Sequence, residues 1–81
     1  MTDIGGEKAD LVLDVRPILA GGQEPFDVIM QGVAALKEGQ DLVIIAPFEP
    51  VPLEGVLSAQ GFTYQVTQYS PDHFSVTFHR D

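Results

Sequence analysis

The 81-residue sequence contains no cysteine and no tryptophan. Without a thiol, disulfides, thiolate nucleophiles, Cys-ligated zinc and iron–sulfur clusters are all excluded. Basic residues are scarce, with four Lys and Arg against twelve Asp and Glu, for a formal charge of −8. A field of that sign repels phosphate backbones and anionic lipid surfaces, so neither nucleic acid nor a membrane is an expected partner. The acids are scattered rather than clustered, and solubility alone accounts for them. Long apolar runs are also missing. The longest, "LVIIAPF" at residues 42–48, is far too short to cross a bilayer, and "MTDIGGEKAD" has no apolar core of a signal peptide, so a cytoplasmic location is expected. No P-loop, dinucleotide fingerprint or Ser/His/Asp set occurs. No cofactor and no catalytic residue are therefore assigned, and a non-enzymatic role is expected.

What is present is enough for one small core. Hydrophobic residues make up 44% of the chain, including five Phe and two Tyr, and a second domain would leave neither half able to bury a core of its own. Residues 1–9 mix Gly, Asp, Glu and Lys without periodicity and read as a flexible leader to a single domain over 10–81. "DLVLDVR" alternates, with Leu11, Leu13 and Val15 on one face and Val12, Asp14 and Arg16 on the other, which predicts a strand. From Pro25 the positions Phe26, Ile29, Met30, Val33 and Leu36 recur at helical spacing, and Gly39 suits the residue past the helix end. "DLVIIA" is apolar on both alternating sets, as a central strand should be. Beyond a proline cluster, Leu53, Val56 and Leu57 resume helical spacing up to Gly61. "FTYQVTQY" and "HFSVTFHR" then alternate strictly about the turn signal "SPD". The order is βαβαββ. It predicts an α/β domain of the α+β two-layer sandwich type, a four-stranded mixed sheet with two helices on one face and a terminal antiparallel hairpin.

This order and several spaced motifs give the chain a resemblance. "LDVR" at Leu13, Asp14, Val15 and Arg16, then Glu24-Pro25-Phe26, then Phe48-Glu49-Pro50-Val51-Pro52-Leu53, then Gly61-Phe62 are the residues that carry it. Over roughly residues 11–80 the chain resembles the TusA-like (SirA-like) sulfur-carrier superfamily, and within it an uncharacterised family of short domains marked by Leu-Asp-x-Arg, Glu-Pro-Phe, His-Asp-Pro-x-Pro-Leu and Gly-Phe. The resemblance implies a carrier cysteine in a Cys-Pro-x-Pro motif at the start of helix one, where free N–H groups and the helix dipole favour a thiolate. Here "GQEP" stands in that place, with Gly22 where the thiol would sit. Phe48 likewise replaces the usual His of the closer family. Whatever ligand that His holds in relatives should be lost or weakened in this chain, with the Phe48 ring packing at the sheet end or filling the groove between the helix starts.

Two surfaces remain as candidates for function. In the alternative reading, an enzyme-associated domain, Arg16, Gly21, Gly22 and Gln23 could together bind a small anionic metabolite at the start of helix one, although Asp14 can pair with Arg16 and Glu24 puts a negative charge at the mouth. The second is the sheet face opposite the helices. Either Val43 and Ile45 or Leu42 and Ile44 should lie there, among Val12, Thr63, Gln65, Thr67, Thr77 and His79, as an apolar strip suited to another protein or to self-association. His73 and His79 share a strand face, but at about 20 Å apart they cannot hold one metal, so no metal site is expected. Glu49 and Glu54 flank the prolines, where they would complement the positive end of helix two. The leading expectation is a non-enzymatic domain working by protein or small-ligand interaction, without sulfur-carrier activity. Incubation with a cysteine desulfurase and labelled cysteine should leave the intact mass unchanged, and a stable sulfur adduct would contradict this reading.

Overall fold

The computed structural model describes residues 10–80, so the leader assigned to residues 1–9 lies outside the described residues. Four strands, β1 (Leu11–Asp14), β2 (Leu42–Ala46), β3 (Thr63–Ser70) and β4 (His73–His79), form one sheet in the order β1-β2-β4-β3. β1 runs parallel to β2, β4 lies antiparallel to β2, and β3 completes a hairpin with β4. Helices α2 (Phe26–Ala35) and α3 (Val51–Ala59) supply Ile29, Val33, Leu53 and Leu57 to one core on one sheet face. The mixed four-stranded sheet and the two-layer arrangement agree with the sequence reading.

β2 anchors the core. Leu42, Ile44 and Ala46 are buried on the helix side, while Val43 and Ile45 turn to the open face and are half-buried. Their partners across the sheet continue the division, because Ile44 pairs with Val76 and Leu42 with Phe78, all fully buried. Phe62 packs edge-on against Phe78 with ring centroids 6.3 Å apart, and the Arg80 guanidinium lies 4.6 Å from the Phe62 centroid. α2 approaches β1 closely at Gly32, where an added Cβ would come within 2.9 Å of Leu13 Cδ1. α3 ends in a Schellman motif. The Phe62 N–H donates to the Leu57 carbonyl, the Gly61 N–H donates to that of Ser58, and Gly61 holds φ +95°. The buried pair Leu57 and Phe62 closes it with an apolar contact.

Three local readings need correction. The first strand stops at Asp14, and Arg16 begins a five-residue helix, α1 (Arg16–Ala20), that brings the helix count to three among the described residues. The Asp14 carboxylate accepts the Arg16 backbone N–H at 3.0 Å, which turns the chain out of the sheet two residues early. α2 ends at Ala35 rather than near Gly39, because Leu36 is extended and residues 37–40 make a separate turn, with the Gln40 N–H donating to the Lys37 carbonyl. Val56 is exposed, and Glu54 takes the inward position between Pro50 and Leu57 that helical geometry offers at i+4 and i+7.

Phe78 is fully buried at the junction of β2, β3 and β4. Phe78→Ala should cost about 3–5 kcal/mol in urea unfolding, most of the stability expected of a domain this small. Val12→Ala, on an exposed edge-strand position, should stay within about 0.5 kcal/mol.

Candidate functional site

At the C-terminal ends of β1 and β2 the starts of α2 and α3 diverge, and an open cleft of about 520 Å³ lies between them. Its floor is Ile44 and Ala46 from β2 with Val15 from the link between β1 and α1, and its walls include Ile29 and Leu53. Phe26 and Phe48 are both exposed on its lining, with Pro25, Pro50 and Pro52 alongside. The prolines have a structural reason to be there. Pro25 and Pro50 occupy the cap positions of α2 and α3, and Pro52 sits in the first turn of α3, where a missing N–H removes no helical hydrogen bond. Their rings therefore make the mouth apolar where a helix start would ordinarily offer free donors.

Among the described residues on the cleft Glu24 is the one ionisable side chain, and its carboxylate is engaged. Its Oε1 accepts the Phe26 N–H at 2.9 Å, satisfying one of the free donors of α2. The Glu-Pro-Phe motif is thus a helix start in which the acid reaches forward over the proline. The Leu-Asp-x-Arg motif has a comparable role. Asp14 accepts from the Arg16 backbone and, at 2.9 and 2.7 Å, from its Nε and Nη2. That guanidinium holds the Asp14 carboxyl below its usual range.

Of the residues considered for an anion site, Arg16 lies at the start of α1 and Gly21, Gly22 and Gln23 in the turn that follows it. Arg16 is clamped by Asp14 and lines a shallow depression with Leu19, Pro47, Asp72 and His73, whereas the start of α2 opens into the apolar cleft. Gly21, Gly22 and Gln23 form the exposed turn between α1 and α2, where Gly22 N–H donates to the Leu19 carbonyl and Gln23 N–H to that of Ile18. The groove between the helix starts, one of the two places expected for the Phe48 ring, is open. Phe48 continues the inward alternation of Leu42, Ile44 and Ala46, but it lies past the last core layer, and its ring is 51% exposed on the cleft lining.

On the open sheet face, Val43 and Ile45 are flanked by Val12 and Thr77, as one of the two sequence alternatives proposed. His79 on this face meets Asp41, with Nδ1 2.6 Å from Oδ1, and His73 lies beside the Tyr69 ring at 4.9 Å. No group of three possible metal ligands occurs among the described residues. Nor is any described helix long and apolar enough to cross a membrane.

Glu54, expected to complement the positive end of the second helix, is 3% exposed and its Oε2 has no hydrogen-bond partner. Burial raises its carboxyl above the ordinary value of 4.5, the neighbouring Glu49 carboxylate raises it further, and a hydrogen bond from Tyr64 opposes the rise. The signal was the i+4, i+7 relation of Pro50, Glu54 and Leu57.

The geometry defines a small α+β domain with an apolar cleft at the carboxyl ends of two parallel strands. The chain belongs to the uncharacterised conserved protein family DUF2249, whose model matches residues 12–80. No curated protein and no solved structure matches the chain.

The folded chain favours the acid form of Glu54. Its contribution is therefore most favourable below pH 4.5 and is lost as pH rises through the folded value. Glu54→Gln should raise the urea midpoint at pH 7 and flatten this part of the pH dependence, leaving the two chains within about 0.5 kcal/mol at pH 4. An unchanged midpoint at pH 7 would show that the carboxylate meets no cost there.

Proposed function

We propose that the domain is a non-enzymatic, TusA-like binding module without sulfur-carrier activity, and that its ligand is a small apolar molecule, neutral or cationic, held in the cleft between α2 and α3. The cleft carries this reading: its volume of about 520 Å³ falls in the range of small-molecule sites, which are mostly apolar with few polar groups. Phe26 and Phe48 offer aromatic faces to a planar or cationic group. Glu24 and the overall charge of −8 disfavour an anion. The βαβαββ order, ignoring the short α1, and the helix start at "GQEP" support the TusA-like relationship. The absent thiol supports loss of the carrier chemistry.

The alternative, an anionic metabolite at the start of α2, has less support. Glu24 already accepts a helix N–H there, and Arg16 is paired with Asp14.

Titration with a neutral solvatochromic dye, followed by amide chemical shifts, tests the proposal. Shifts should cluster at Phe26, Ile29, Phe48 and Leu53. Phe48→Ala should weaken the dye roughly tenfold, equivalent to about 1.4 kcal/mol, while costing no more than about 1–2 kcal/mol of stability, because the ring is half exposed. Shifts confined to Arg16 and Gly21–Gln23 on adding inorganic phosphate, with none from the dye, would overturn it in favour of the anion.

A further inference from the structure

The two edges of the sheet are unlike. β1 is four residues long and is bracketed by Asp10 and Asp14. β3 is eight residues long, reads "TYQVTQYS", and every residue from Thr63 to Tyr69 is exposed. Natural edge strands usually carry a lysine, an inward charge, a proline or a bulge that spoils pairing with another strand. β3 has none of these over Thr63–Gln68, and its only irregularity is the register shift between Gln68 and Ser70. Its helix-side residues Tyr64 and Val66 pair with buried Phe78 and Val76, yet they remain 41% and 37% exposed.

Charge distribution singles out the same edge. Residues 55–71 contain no Asp, Glu, Lys, Arg or His, in a chain of net charge −8. They form most of α3 and the whole of β3, with Val51 and Val56 also exposed on α3. Glu54, which would otherwise bring an acid beside this strip, is folded inward. A second copy of so acidic a chain is repelled at most approaches, but no like charges face each other here.

We propose that β3 pairs antiparallel with β3 of a second copy, making a two-fold dimer with a continuous eight-stranded sheet. An edge strand is self-complementary under a two-fold axis, so one contact satisfies the free backbone donors and acceptors of both copies. With the axis at Val66, Val66 faces its own copy, Tyr64 faces Gln68 and Gln65 faces Thr67. Every pair is uncharged, and each residue meets a partner on its own sheet face. The helix-side Tyr64 and Val66 of both copies then cover one another beside the two α3 helices.

Sedimentation equilibrium of the full chain at near-physiological salt tests this. The wild type should approach twice the 8.8 kDa chain mass with a dissociation constant in roughly the micromolar range, as for a small interface. Val66→Lys and Val66→Glu should each stay monomeric with native circular dichroism, and their equimolar mixture should regain the dimer mass. Thr67→Lys, on the opposite face of the same strand, should also be monomeric and serves if the Val66 variants fail to fold. Val12→Lys, on the exposed face of β1, should dimerise like the wild type. A wild type that remains monomeric at millimolar concentration overturns the proposal, as does a dimer that survives Val66→Lys or is lost in Val12→Lys. Failure of the mixed Lys and Glu chains to pair also overturns it. A monomer that instead takes up a foreign strand peptide along β3 replaces the second copy with another partner.

Discussion

Burial of Leu42, Ile44 and Ala46 on one side of β2 is the constraint around which the domain is arranged. A strand with neighbours on both sides has its backbone donors and acceptors satisfied within the sheet, so its side chains can be apolar throughout. That places β1 and β4 beside it and obliges two helices to cover one face. The parallel crossover from β1 to β2 carries α1 and α2, and the return from β2 to β4 carries α3 and β3. Both helices that cover the sheet begin near the carboxyl ends of β1 and β2, and their starts splay apart around Ile44 and Ala46. The cleft follows from this connectivity before any side chain gives it a chemical character.

That character comes from residues that also shape the backbone. Asp14 ends β1 and holds Arg16, Glu24 accepts the first free N–H of α2, and three prolines sit where helix starts tolerate them. Each is a local solution to a chain-turning problem. Together they consume polar groups that could have met a ligand and leave Phe26, Phe48 and the proline rings facing the opening. The cleft is apolar because the side chains at the helix starts are Phe and Pro, with Glu24 engaged by the Phe26 N–H.

Much of the fold was legible in the sequence. Period-two alternation gave β3 and β4 with their inward sets, and the doubly apolar run gave the central strand. Gly61 marked the end of α3 because its positive φ suits a glycine. Features that depend on tertiary geometry were not legible. α1 is a single turn and too short to show a period, so "VR" read as more strand. Glu54 read as a charge complementing the start of the second helix, whereas the helical register turned it beneath α3. At the candidate site the motif positions were visible, but the open volume beside Phe48 depends on how far the two helix starts splay, which no residue pattern records. Tyr64 and Val66 alternate with the open-face residues Thr63, Gln65 and Thr67, but their 41% and 37% exposure is a tertiary property that alternation does not record.

The contrast between the two sheet edges limits how far strand addition can run. A sheet permissive at both edges grows without limit, each added molecule offering a fresh template to the next, and the outcome is a fibre. Here the edge opposite β3 is short, and acids stand at both its ends, so a molecule joined through β3 presents only guarded margins outward. The asymmetry acts as a chain terminator: pairing through the uncovered, charge-free strand leaves no second permissive edge, so growth through it would stop after a single step.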